Sequence, residues 1–206
     1  MTQHGTRQWW QAVVLTIVVC AAYANSLQGS FQYDDFHSIV RNSSLRDLGN
    51  LPAFFTDPET FSGDADKAMY RPLLLASLAL NHALHGYKVE GYHAVNVMLH
   101  LACVLLLWRL ARRLTTTGAA LAAALLFATH PLTAEPVNYI SSRSELLLGV
   151  FFLGSLWVHC EAGNRGRGHV LAAVLCALAL LSKATAVMLA PSLLLFDLIA
   201  MGWRPA

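Results

Sequence analysis

The chain has 206 residues, 56% hydrophobic and 13% charged, with a formal net charge of +2 and a mean hydropathy of +0.48. Soluble domains carry roughly a quarter charged residues, and here the apolar residues gather in long blocks, which points to a membrane protein. The small net charge without a basic run argues against a nucleic-acid partner. Four cysteines, all in apolar blocks and without CxxC or Cys/His spacing, argue against a disulfide framework or a zinc site.

Taken in chain order, Arg7 and Asp34 bracket 26 residues without Asp, Glu, Lys or Arg, including "WWQAVVLTIVVCAAYANSL". A bilayer core needs about 20 residues of helix, so this block predicts the first span, with Trp9 and Trp10 as an interfacial anchor. "AYANS" offers a signal-cleavage site as a minor alternative. A loop of some sixty residues, 28–90, follows, and loops this long are functional or disordered rather than plain connectors. Within it "SSLRDLGNLPAFF" reads as a short capped helix broken at Pro52. "RPLLLASLALNHALHG" predicts a helix over 71–86 that starts on a proline and lies in the membrane interface. The next charge-free blocks are 91–108, 114–134, 146–160, 168–182 and, after Lys183, "ATAVMLAPSLLLF". Counted together with the first, the blocks predict about six spans, with Lys183 either in a turn between the last two or inside one of them. In the second, His93, Asn96 and His100 share a face and predict a polar seam between helices.

The positive-inside rule places Arg7, the cluster Arg109, Arg112 and Arg113, the pair Arg165 and Arg167, and Arg204 in the cytoplasm. Residues 28–90 then face outward, carrying five Lys/Arg against eight Asp/Glu, a net of −3. On that topology Asp34, Asp35, Arg71, His130, Glu135, Arg143, Glu145 and Lys183 all fall near the outer membrane face. Ionisable groups beside spans are costly and so are functional candidates. A carboxylate can take a proton from an attacking hydroxyl, and one of an adjacent pair has a raised pKa when the two interact. Arg and Lys can hold a phosphate leaving group. The set fits transfer from a lipid phosphate to a hydroxyl. Bland readings exist for each member: a solvated turn at Asp34 and Asp35, an interface anchor at Arg71, a helix end at His130–Pro131. The "NSS" at Asn42 is a weak glycosylation sequon. A membrane scaffold or transporter subunit whose external loop binds a partner is the rival class, although transporters place acids near mid-span, where these blocks carry almost none.

The YDD segment, "MYRPLLLASLALNHALHG", "GYHAVNVMLHLACVLLLWRL", "LLFATHPLTAEPVNYISSRSELL" and "LLSKATAVMLAPSLLLFDL" together make an ordered set. Carrying them, the chain resembles the N-terminal membrane half of the transmembrane O-mannosyltransferases with tetratricopeptide repeats, and more distantly the protein O-mannosyltransferases of the glycosyltransferase-C fold. The resemblance covers nearly the whole chain. It implies an all-α polytopic membrane helix bundle forming a single glycosyltransferase-C-like domain over 1–206. The family's acidic pair matches Asp34 and Asp35, one of which is implied as the general base. Its YRPL element matches Tyr70–Leu73, and its HP…TE.V element matches His130, Pro131, Glu135 and Val137. Its GRAD element matches Ser142–Glu145, and its SKE element matches Ser182, Lys183 and Ala184. Three departures are Ala184 for Glu, Thr133 for His and Glu145 for Asp. The implied activity is inverting transfer of a hexose, expected to be mannose, from a polyprenyl-phosphate sugar to a Ser/Thr hydroxyl of an exported protein. The implied site is the non-cytoplasmic face of a bacterial inner membrane or of the endoplasmic reticulum membrane. Arg71, His130, Glu135, Arg143, Glu145 and Lys183 are the expected substrate- and phosphate-binding residues. No spacing demands a metal, although a divalent ion between the carboxylates fits the chemistry. Family members continue with further spans and a repeat domain, so a fragment or truncated product is expected.

Overall fold

The computed structural model describes residues 9–162 and 166–200. Arg7, Arg165 and Arg204, three of the predicted cytoplasmic charges, lie outside the described residues. The described chain is helical, with α1 at Trp9–Ala22, α2 at Leu51–Phe54, α3 at Pro72–His85, α4 at Val89–Leu114, α5 at Thr117–Thr129, α6 at Pro131–Asn138, α7 at Arg143–Ala162, α8 at Gly166–Ser182 and α9 at Leu189–Ala200. Among the described residues three helical stretches are long and apolar enough to cross a membrane: Trp9–Gln28, Val89–Leu114 and Ile140–Ala162. The bent pair α5–α6 makes a fourth if it acts as one span. Large apolar side chains such as Ile17 of α1, Leu126 of α5, Val170 of α8 and Leu194 of α9 stay exposed, as expected of surfaces that face lipid.

One predicted span is not straight. α5 and α6 meet at 53° because Pro131 lacks an N–H and disfavours helical geometry in the residue before it. His130 is accordingly extended (φ −66°, ψ 134°) and caps α6, its Nδ1 accepting from the Leu132 N–H at 3.2 Å. Lys183 likewise is extended (φ −160°, ψ 137°), standing in the break between α8 and the 3-10 turn Ala184–Met188. The loop segment with Pro52 differs from expectation. Pro52 falls in the first turn of α2, where its missing N–H costs nothing, so it starts a helix instead of breaking one. The turn before it, Ser43–Arg46, is capped by Asn42.

The core has two main parts. The first joins α1, α4 and α5 through Leu15, Val19, Val104 and Trp108 against Ala120, Ala124 and Ala128. Those alanines repeat every four residues and let the backbones approach closely, the small-residue packing that membrane helices use. Polar bonds cross the same seam: Trp108 Nε1 donates to Gln11 Oε1 at 3.2 Å and the His100 ring to Ala128 O at 3.1 Å. On the other side of α4, Gly149 of α7 lies so close that a Cβ there would meet Cys103 Sγ at 2.9 Å. The second part is the core of the 28–90 loop, where Ile39, Leu45, Phe54 and Phe61 pack on Leu74, Leu75 and Leu78 of α3, with Tyr92 and Ile140. This loop is an ordered layer, and α3 is its main element. Gly86 ends α3 at φ +59°, a conformation that favours glycine. Asn42 of the sequon is buried, its amide donating to Ser38, Thr60 and Phe61 carbonyls. It is a bracket in the loop core, and no glycan could be attached there without opening it.

Candidate active site

The acidic pair is divided by its surroundings. Asp35 is 1% exposed. Its Oδ1 accepts from the Ser141 N–H at 2.8 Å and the Ser141 hydroxyl at 2.5 Å, and its Oδ2 from the Gln32 N–H at 3.0 Å. Asp34 points the other way, its side chain 62% exposed, with Oδ1 3.3 Å from His37 Nε2. Its backbone is held while its carboxylate is left open: the Asp34 N–H donates to the Tyr139 hydroxyl at 2.9 Å, and its carbonyl accepts from Ser38 Oγ at 2.7 Å. The backbone carrying the pair is unusual on both sides. Tyr33 sits at φ +43° and Phe36–Val40 forms a π-turn, two features that cluster at functional sites.

A cavity of about 430 Å³ opens beside Asp34. Its wall includes His37, Asp66, Lys67, Arg71, Glu145 and Lys183. Arg71 lies over the Phe61 ring, 5.8 Å from its centroid, and donates to Ser144 Oγ at 3.3 Å. Lys183 is paired with Glu145, which fixes its ammonium at the wall. Arg71, which precedes α3 as its N-cap, and Ser144 and Glu145 in the first turn of α7 line the cavity, so helix N-termini add positive potential where an anion would sit. From Leu73 and Leu147 onward, the same two helices line an apolar cleft of about 360 Å³ with Leu48, Leu51, Leu80 and Phe151.

The other predicted residues stand elsewhere. His130 is exposed at the α5–α6 bend and lines neither cavity. Glu135 lines a neighbouring cavity of about 390 Å³ with Gln32, Tyr33 and Asn138. Tyr139 borders both cavities. Arg143 is 0% exposed and lies behind the cavity wall, where its guanidinium donates to Asn96 Oδ1 at 2.7 Å, Asn81 Oδ1 at 2.9 Å, Tyr92 O at 3.0 Å and Ser77 O at 3.3 Å. It joins α3, α4 and α7 from inside. Of the seam predicted on α4, Asn96 also donates to the Val137 carbonyl at 3.3 Å and His100 to the Ala128 carbonyl, whereas neither ring nitrogen of the buried His93 has a hydrogen-bond partner among the described residues. Sequence reasoning passed over Tyr139 and Ser141. Their only signal was the polar character of the connector "NYISSRSE" between two apolar blocks. Among the described residues no three His, Cys, Asp or Glu side chains converge as a metal-ligand set.

Burial pushes the Asp35 carboxyl above its ordinary value of 3.8, and the hydrogen bonds from Ser141 and Gln32 oppose that rise without cancelling it. Folded Asp35 therefore keeps its proton to higher pH than the unfolded chain does. Its contribution to stability is full below the unfolded value and declines as pH rises through the folded one. The difference in Tm between the wild type and Asp35→Asn should accordingly be largest below the ordinary carboxyl value and narrow as pH rises above it, as read by thermal unfolding in detergent.

These features define a helical membrane protein with a cavity that sets Arg71 and Lys183 opposite an open carboxylate, next to an apolar cleft. Residues 66–205 match the family described as Dolichyl-phosphate-mannose-protein mannosyltransferase, and the chain belongs to that family. Protein O-mannosyl-transferase F38B6.6 of Caenorhabditis elegans is 30% identical over 204 residues, covering 96% of this chain and 29% of its own. Protein O-mannosyl-transferase TMTC4 of Homo sapiens is 30% identical over 221 residues, covering 94% of this chain and 30% of its own. Protein O-mannosyl-transferase Tmtc1 of Drosophila melanogaster is 36% identical over 173 residues, covering 80% of this chain and 20% of its own. The chain thus spans 30% or less of the length of these relatives. No solved structure matches it.

Proposed function

We propose that the protein transfers a hexose, mannose by its kinship, from a polyprenyl-phosphate carrier to a Ser or Thr hydroxyl of an exported protein. The observation that carries this reading is the single cavity that sets the open Asp34 carboxylate against Arg71 and Lys183, beside an apolar cleft on the same two helices. A soluble sugar nucleotide has no use for that cleft. A phosphate on an isoprenoid chain has a use for both halves.

In the proposed step Asp34 takes the proton of the acceptor hydroxyl as its oxygen attacks the anomeric carbon. The bond from that carbon to the phosphate oxygen breaks with inversion, and the polyprenyl phosphate leaves with the electron pair. Arg71 and Lys183 neutralise the growing phosphate charge, and Glu145 keeps Lys183 in place. Asp35 holds the loop against Ser141 so that Asp34 is presented correctly. Glu135, across Tyr139, orients the acceptor segment, while His130 shapes the bend that brings α6 there. Arg143 fixes the frame behind the wall. Reading α1, α4, α5–α6, α7, α8 and α9 as six crossings would put this cavity outside the cytoplasm, in the bacterial inner membrane or its endoplasmic-reticulum equivalent. The 28–90 layer then rests on the membrane surface through α3. α8, about 25 Å long, crosses by local thinning of the bilayer.

The test measures transfer from a polyprenyl-phosphate mannose to an acceptor peptide in membranes containing the protein. Arg71→Gln and Lys183→Gln should each lower kcat/KM for the donor by about tenfold to a hundredfold, since a lost charge-assisted phosphate bond is worth roughly 1.5–3 kcal/mol. Unchanged donor kinetics in both variants would refute the assigned phosphate site.

A further inference from the structure

We propose that the end of the bundle opposite the cavity holds a specific site for an anionic diacyl phospholipid, in the groove between α1 and α4. The groove has a volume of about 360 Å³ and is lined by Ala12, Ala102, Leu105, Leu106, Trp108 and Arg109. Tyr92, near the catalytic end of α4, precedes Arg109 by 17 residues, about 25 Å of helix, so the two sites lie close to opposite faces of the bilayer core.

Its chemistry changes along its length. The small side chains Ala12 and Ala102 open the groove, and the leucines make its wall apolar. The Trp108 indole N–H is already spent on Gln11 Oε1. An extended peptide backbone lying there would find few partners for its amides, which is prohibitive in lipid. An acyl chain needs none. At one end Arg109 is exposed, with its guanidinium carbon 5.4 Å from the Trp157 ring centroid. Among the described residues Arg109 has no carboxylate partner, whereas nearby Arg113 is paired with Glu161. Arg112 lies 4.8 Å from the Trp108 ring centroid. Trp9 and Trp10, both exposed at the start of α1, set this level as the membrane interface. An apolar groove ending in an uncompensated guanidinium at headgroup depth matches a lipid whose phosphate is not balanced by its own ammonium. The inference is independent of the transfer activity.

The test follows thermal unfolding of the purified protein in non-ionic detergent micelles. Phosphatidylglycerol, phosphatidylcholine with the same chains, and inorganic phosphate are titrated separately. Phosphatidylglycerol should raise Tm with an apparent affinity at least about fivefold above that of phosphatidylcholine, and inorganic phosphate should leave Tm unmoved. Arg109→Gln should erase the preference between the two lipids, and Arg109→Lys should keep part of it. Ala102→Trp, which fills the groove, should weaken the response to phosphatidylglycerol. Arg113→Gln should not change the preference. Equal responses to both lipids, a preference surviving Arg109→Gln, or a response to phosphate alone would each overturn the proposal. So would a groove occupied by a second copy, seen as a dimer in micelles that Ala102→Trp dissociates.

Discussion

Asp34→Asn should reduce sugar transfer by about a hundredfold to ten-thousandfold, the range for loss of a positioned general base, while leaving the protein folded. The two halves of that expectation come from different atoms. The Asp34 backbone is held by the Tyr139 hydroxyl and Ser38 Oγ, and neither bond changes in the variant. The side chain is mostly exposed beside His37, so its replacement is a surface change costing within about 0.5 kcal/mol. Asn is nearly the same size and still accepts a hydrogen bond, but it cannot take a proton. The readout is the transfer rate from polyprenyl-phosphate mannose together with the Tm of the same preparation. Full activity in Asp34→Asn would remove the proposed base. Asp35→Asn makes the contrast: its amide sets a donor against the Gln32 N–H, so it should lose Tm as well as rate.

Arg143→Met should cost on the order of 3–5 kcal/mol of stability, the sum of a few buried neutral acceptors left without donors, against a total of roughly 5–15 kcal/mol for a typical fold. The side chain is buried and donates to Asn96, Asn81, Tyr92 and Ser77. Methionine fills much of the volume but strands those acceptors in the interior, where each unsatisfied one costs about 1–3 kcal/mol. Arg143→Lys keeps the charge, yet a single ammonium cannot span partners on α3 and α4 with a planar fork, so it should recover only part. Thermal unfolding and size-exclusion profiles in detergent give the measurement. If Arg143→Met unfolds like the wild type while donor KM rises sharply, the residue touches substrate and its structural role here is wrong.

Arg143 also marks where sequence reasoning reached its limit. It and Arg71 are the same residue type at the same predicted depth, and both fitted a phosphate contact. Nothing local separates them, because burial depends on what other elements lay on top. α3 and α4 cover one, while the edge of the cavity leaves the other partly open. The same holds for Asp34 and Asp35, neighbours whose side chains diverge into solvent and into a cage built by Ser141, which lies 106 residues away.

By itself the sequence determined the properties that follow from local chemistry and periodicity. These are the helical membrane class, the place of the long apolar helices, the proline start and glycine end of α3, the break at His130–Pro131 and the acidic pair after the first span. Each is decided by a run of residues close in the chain, through backbone sterics or the cost of charge in lipid. Only the tertiary structure decided which ionisable groups share a cavity, which one of a pair is open, and that the 28–90 loop packs into a layer with its own core. Those outcomes depend on contacts between residues far apart in the chain, and the free energy of a charge depends on what surrounds it.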